Sequence, residues 1–523
     1  MAQTADLTIT GARIYTLDSA HPVVSALAVK NGRILYAGDD ASGYIGPHTR
    51  RIDAKGAAVI PGLIDSHCHM EALGEQLETF DLRYVRTVAE VAAIVKKAAA
   101  GRAPGQWVRG QAWDQTHWGG AFPTAGDLDA ASGGHPVFLT RVDGHAAWVN
   151  HRALELAGIT AATPDPSGGK IVRTAAGEPT GVLIDNAQDL VGSRIPPATP
   201  EETRRRIARA AKECARLGLT SVHDAGVNEQ ALAAYRDLIA RGELPVRVYA
   251  MIGGDGPLWR EYLKRGPETG DRLTVRSIKL FADGAMGSRG AAFFEPYSDD
   301  PGNTGLLLAT REQIVKVARE ACERGFQVNT HAIGDRANHM TLEAYASALG
   351  GANDRRFRIE HAQVVAPADF ELFKKYSVIA SMQPTHATSD MRWAEARVGP
   401  ERVKGAYAWR RFLERGIPVA GGSDFPVEEP NPLYGFYAAV TRRDRTGNPP
   451  QGWFPDQRMT REEALKSWTL AGAYAAFEED KKGSLAPGKF ADFLVLSNDI
   501  MRCPPLEILK TRVKMTVVNG EIQ

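Results

Sequence analysis

Cysteine is scarce in this chain: Cys68, Cys214, Cys322 and Cys503 are the only four in 523 residues. No two of them form a Cys-x-x-Cys pair, so neither a disulfide scaffold nor a thiolate zinc finger is expected. Net charge is almost absent as well. The 63 Lys and Arg stand against 62 Asp and Glu, leaving +1, which offers no electrostatic footprint for nucleic acid or for an anionic membrane surface. Uncharged apolar segments never reach the roughly 18–20 residues that a membrane-spanning helix needs. The first residues, MAQTADLTIT, lack the basic stretch and apolar run of a secretory signal. These absences predict a cytoplasmic protein whose partner is a small molecule, with no nucleic acid and no membrane involved.

What is present is an ordinary globular composition, 43% hydrophobic and 24% charged. The length suits two to four domains, although a barrel enzyme can spend most of such a chain on one. Residues 1–60 read as short strands, with Asn31-Gly32 at a hairpin turn, and 485–523 read the same way, with Asn519-Gly520 at another. Each end is too short for a core, so the two are expected to pair into one small β-sandwich. Between them, LIDSHCHM, LTSVHDAG, VRVYAMI, VRSIKLFADG, FQVNTHAIG, RFRIEHAQ, SVIASMQP and IPVAGGSDFP give eight strand candidates, with helical periodicity in the gaps. Eight parallel strands with crossover helices predict an α/β fold, a (β/α)8 TIM barrel over 61–484. The stretch of about 72–215 is too long for one crossover and has strand and helix signals of its own, so it is expected to be an inserted α+β subdomain.

In such a barrel the strand C-terminal ends face the active site, whereas the rest of each strand is apolar packing. Those ends carry His67 and His69, His223 and Asp224, Lys279 and Asp283, then His331, His361, Gln383 and Asp424. Residues two apart on a strand share a face, so His67 and His69 can reach one cation. His331 and His361 are one βα unit apart, which suits adjacent strands. Asp424, in AGGSDFP, is placed to be a metal ligand and a proton acceptor; capping the next loop is the alternative. Lys279 lies in an apolar strand. Burial and nearby cations favour its neutral amine, which can take up carbon dioxide as a carbamate bridging two metals. Pairing with Asp283, with one metal, is the other reading.

The ordered set PGLIDSHCHM, IKLFADGAMGSRGAA, NTHAIGD, RIEHAQ and GGSDFPV resembles the amidohydrolase superfamily, specifically its YtcJ-like branch, which also holds N-substituted formamide deformylases. The similarity runs nearly end to end, through WDQTHW, RVDGHAAWVN, GEPTGVLIDNA, SMQPTHATSDMRWAE and LAPGKFADFLVLS. It implies a distorted (β/α)8 barrel with a sandwich built from both termini. It also implies a divalent metal, zinc by ligand chemistry, at one or two per chain. His67, His69 and Asp424 would hold the more buried ion, His331 and His361 the second, and carbamylated Lys279 the bridge.

The expected reaction follows from that site. A metal-activated hydroxide attacks a carbonyl, Asp424 shuttles the proton to the leaving amine, and His223 or His145 stabilises the oxyanion. Trp113, Asp114, His117, Trp118, Asp143, His145, Gln383, His386 and Trp393 are candidate substrate contacts, and Arg289 could bind a carboxylate or pair with an acid. The expected bond is a non-peptide C–N bond, that of an amide and specifically an N-substituted formamide. Hydrolysis of a cyclic amide or ester, deamination, and a metal-stabilised binding protein without catalysis are the alternatives. A homodimer is the default assembly for a barrel of this size.

Overall fold

Eight apolar runs become eight parallel strands in the computed structural model, which describes residues 3–523. In chain order they are β1 (Leu63–Cys68), β2 (Leu219–Val227), β3 (Arg247–Gly253), β4 (Leu273–Phe281), β5 (Gln327–Ala332), β6 (Arg358–His361), β7 (Ile379–Met382) and β8 (Val419–Gly421). Each pairs with the next in parallel register, so chain order is also spatial order. The barrel is nearly closed. No ladder joins β8 to β1; instead, Ser423 donates from its N and Oγ to Asp65 at 3.0 and 2.6 Å. Just beyond, Asp424 N donates to the His67 carbonyl and His69 N to that of Phe425, both at 2.8 Å. Seam and site therefore share residues.

Crossover helices carry the remaining signals of the sequence. Thr199 with Glu202 and Thr310 with Gln313 form capping boxes that start helices Pro200–Arg216 and Arg311–Glu323. Val222, Val248, Val275, Ile278, Val328 and Ile359 of the strands join helix residues such as Ile207, Leu238 and Ala318 in one buried core.

Both chain ends meet in a sandwich. One sheet contains Leu7–Thr10, Ala26–Lys30, Arg33–Gly38 and Arg50–Asp53; in the other, Ala58–Pro61 pairs with Phe493–Leu496. Ile9, Ile14, Val29, Phe493, Val495 and Val517 pack between them. Asn31 and Gly32 turn one hairpin with φ of 50° and 72°, the left-handed pair such a two-residue turn requires.

The insertion builds a six-stranded sheet between Phe80–Asp81 and Pro179–Asp185. Its own core centres on Trp113, Leu139 and Trp148. Helix Pro200–Arg216, which falls inside the expected insertion, instead packs its Ile207, Ala211 and Cys214 into the barrel core beside Met70 and Leu73. It is the crossover that returns the chain to β2. Among the described residues no helix is long and apolar enough to cross a membrane, and all four cysteines are free.

Candidate metal centre

At the C-terminal ends of β1, β4, β5, β6 and β8, the chain brings six side chains together. His67, His69, Lys279, His331, His361 and Asp424 all line one cavity of about 430 Å³. Except for His69, whose side chain is 30% exposed, they are buried. Ligand atoms of His67, His361 and Asp424 lie within 4.8 Å of one another. The rings of His331 and His361 sit edge to face at 4.5 Å.

The hydrogen bonds behind these rings fix which nitrogen faces the cavity. His67 Nδ1 donates to Glu360 Oε2 at 2.5 Å and His69 Nδ1 to the Ala225 carbonyl at 3.0 Å. Both Nε2 atoms therefore carry lone pairs, and they face Asp424 Oδ1 at 3.5 and 3.2 Å. Asp424 Oδ1 is buried and has no hydrogen-bond donor among the described residues. Lys279 Nζ lies 3.2 Å from His67 Nε2. His361 Nδ1 donates to Gln383 Oε1 at 2.8 Å, and His331 Nε2 to the Gly284 carbonyl at 3.3 Å. Acceptors converging on a carboxylate with no proton between them repel unless a cation sits among them, so the residues fit a divalent metal. Burial, followed by neighbouring charge, pushes His67, His331 and His361 well below the usual histidine value, keeping the rings neutral as ligands must be. Burial also brings Lys279 down to about 8.

Behind His67 lies a buried ion pair that strand-end reading missed. Arg358 and Glu360 are two apart on β6 and share its inward face. Arg358 Nε is 2.7 Å from Glu360 Oε1, and its Nη2 donates to the Ser66 carbonyl and to Ser381 Oγ. Alternation alone would turn His361 away from that face. Left-handed φ angles of 74° at His361 and 43° at Ala362 bend the chain there.

The insertion contributes a second pair. His145 Nδ1 donates to Asp185 Oδ1 at 2.6 Å, and the His145 ring lies 5.0 Å from that of His331 at a tilt of 41°. Burial opposes protonation of His145, but the Asp185 bond and charge outweigh it and raise its pKa. Asp185 is held at φ 49° and ψ −128°. A Cβ at Gly284 or Gly290 would fall 2.5 or 2.3 Å from Asp185 Oδ2, so these glycines make the space it occupies.

Other expected residues go elsewhere. His223 accepts from Arg358 at 3.0 Å inside the barrel and does not line the cavity. Asp224 faces the outer helices, bonded to Tyr235 Oη and Met70 N. Trp113 is fully buried in the insertion core, its Nε1 donating to the Leu139 carbonyl, so packing accounts for it. Gln383 orients His361 from behind. Arg289 pairs with Asp299 at 3.1 Å, outside the cavity. Asp283 accepts three backbone N–H groups, from Ala292, Ile333 and Gly334, and so organises loops rather than pairing with Lys279. Asp114, His117, Asp143, His386 and Trp393 do line the cavity. Asp114 bridges Arg141 and Arg392 at 3.1 and 2.7 Å, and His386 Nε2 lies 3.8 Å from Asp424 Oδ2.

This fold and donor set define a metal-dependent hydrolase, and comparison with known proteins agrees. Residues 50–523 match the model of the amidohydrolase family, and the chain belongs to that family. Protein LONG AFTER FAR-RED 3 of Arabidopsis thaliana is 38% identical, over 95% of this chain and 88% of its own. YtcJ of Bacillus subtilis is 33% identical over 98% of both. N-substituted formamide deformylase of Arthrobacter pascens is 29% identical, over 100% of this chain and 99% of its own. A solved structure of an uncharacterized metal-dependent hydrolase from Pyrococcus horikoshii superposes with a TM-score of 0.76. It is 30% identical and is matched over 95% of this chain and 99% of its own.

Proposed function

We propose that the chain hydrolyses the C–N bond of non-peptide linear amides, N-substituted formamides among them, with zinc as the natural ion. The observation that carries this reading is Asp424, whose unbonded Oδ1 faces two imidazole lone pairs in the cavity. A divalent cation held by His67, His69, His331, His361 and Asp424 would polarise a carbonyl and lower the pKa of bound water from 15.7 to about 7. Nitrogen and oxygen donors suit zinc, and the formamide assignment draws on the Arthrobacter pascens relative.

The chain's own groups do the rest. Asp424 takes the proton of the attacking water and returns it to the leaving amine, acting as base and then acid. His145, whose pKa the Asp185 pair raises, donates as an imidazolium to the developing oxyanion. His223 has no path to that role from the barrel interior. Lys279 Nζ, on taking up carbon dioxide with loss of a proton, would offer carbamate oxygens as further metal ligands; its burial beside His67 supports this. The balanced charge of the chain supports a small-molecule substrate.

A panel of linear amides, lactams, esters and aminopurines, offered to metal-replete protein, tests the proposal. Release of amine from the linear amides is the expected result. Turnover confined to lactams, esters or aminopurines would replace this reading with a cyclic hydrolase or a deaminase. Binding without turnover across the panel would make the chain a non-catalytic binding protein.

A further inference from the structure

The metal centre does not lie at the bottom of a single pocket. His69, Lys279, His145, Asp143, Phe281 and Val427 line the 430 Å³ cavity and also a second one of about 950 Å³, so they form a neck between two lobes. Each lobe alone falls in the range that encloses a drug-sized ligand. Phe281, at the end of β4, is 40% exposed here. Its ring lies 5.5 Å from that of His331 and 4.7 Å from Lys279 Nζ.

Both lobes mix apolar and polar walls. Tyr84, Trp393 and Tyr434 line the smaller one beside charged groups such as Arg86, Asp390 and the Arg445–Glu429 pair at 2.9 Å. Gln76, Gln111 and Gln313 line the larger one beside Leu280, Leu308 and Ile314.

We infer that the substrate is a two-armed amide. Its scissile carbonyl sits at the neck, one substituent enters the smaller lobe, and the other enters the larger one. A formamide, whose acyl substituent is a hydrogen, leaves one lobe empty and is a truncated substrate. This inference rests on the amide-hydrolase reading and narrows its substrate class.

The test compares N-benzylformamide and N-benzylacetamide with two amides that fill both lobes, N-benzyl-3-carbamoylpropanamide and phenylacetylglycinamide. At least one two-armed amide should exceed the formamide in kcat/KM by about tenfold or more, the scale on which filling a pocket changes that constant. Ala309→Trp, placed in the wall of the larger lobe, should pull that ratio back toward one. A formamide that outperforms both, or a ratio unchanged in a folded, metal-loaded Ala309→Trp protein, would overturn the inference. If none of the four is hydrolysed, the linear-amide reading itself fails. Calorimetric binding of the matching hydroxamic acids then reads the lobes without turnover. Tighter binding of the two-armed members upholds them, and equal or weaker binding overturns them.

Discussion

Asp424 is the residue on which chemistry and structure converge. It closes the barrel seam through its N–H, faces the imidazole nitrogens through Oδ1, and has φ of 60°. Asp424→Asn keeps the shape but removes the proton acceptor. Its kcat should fall by about 10²–10⁴, the usual weight of a general acid–base group, with an unchanged circular dichroism spectrum. Substantial residual turnover would remove the shuttle from Asp424. Lys279→Ala removes the amine proposed to carry the carbamate. Bound metal should drop, with partial rescue by short carboxylic acids that replace the carbamate oxygens; unchanged metal content would leave a site that needs no bridge. The residues that line the cavity were legible because ionisable groups at the ends of apolar strands are conspicuous. Their supports were not: Glu360 and Arg358 lie within a strand, and Asp185 comes from a different sheet. Trp113, Arg289 and Gln383 show the converse, since their residue types suit a binding site but their side chains are satisfied elsewhere.

At the scale of elements, all eight barrel strands could be read from the apolar runs, because a parallel sheet covered on both faces needs continuous hydrophobic sequence. The insertion was harder, since its strands alternate less and its last helix belongs to the barrel. Caps contribute a measurable share of helix stability. Thr460 and Glu463 form a capping box on helix Arg461–Ser467, and Glu463 also pairs with Arg410 at 2.6 Å. The Arg410 hydrogen bond, with those from Thr460, holds the Glu463 carboxyl down at about 2 against a usual 4.5. A carboxyl with a depressed folded-state pKa stabilises fully above its unfolded value and loses that contribution as pH falls toward the folded one. Glu463→Gln should therefore cost about 1 kcal/mol at pH 7, allowing for solvent screening of a partly exposed pair. The difference in urea midpoint from wild type should shrink between pH 5 and pH 3; a pH-independent difference would assign the effect to packing.

For the whole molecule, the sandwich ties the two ends of the chain to the barrel. Phe493, Val495 and Val517 are buried against N-terminal strands, and Arg247 of β3 pairs with Asp492 at 2.7 Å with both side chains buried. Each apolar side chain contributes about 1.5–3 kcal/mol by its burial. Ending the chain at Leu485 should thus give an insoluble or markedly less stable protein by urea unfolding, whereas an equally stable truncation would contradict the pairing. The pairing was legible from two β-rich ends, each too short to bury a core. The standing of the insertion over the barrel mouth was not, because no local pattern in His145 or Asp185 announces a contact with β5.

The central claim is a metal bound by residues from five strands of one barrel. Elemental analysis of purified, metal-replete protein, beside a His67→Ala, His361→Ala double variant, tests it most directly. One to two divalent cations per wild-type chain and a clear loss in the variant are the predicted result. A wild-type chain that retains no metal, or a variant that retains all of it, would contradict the account.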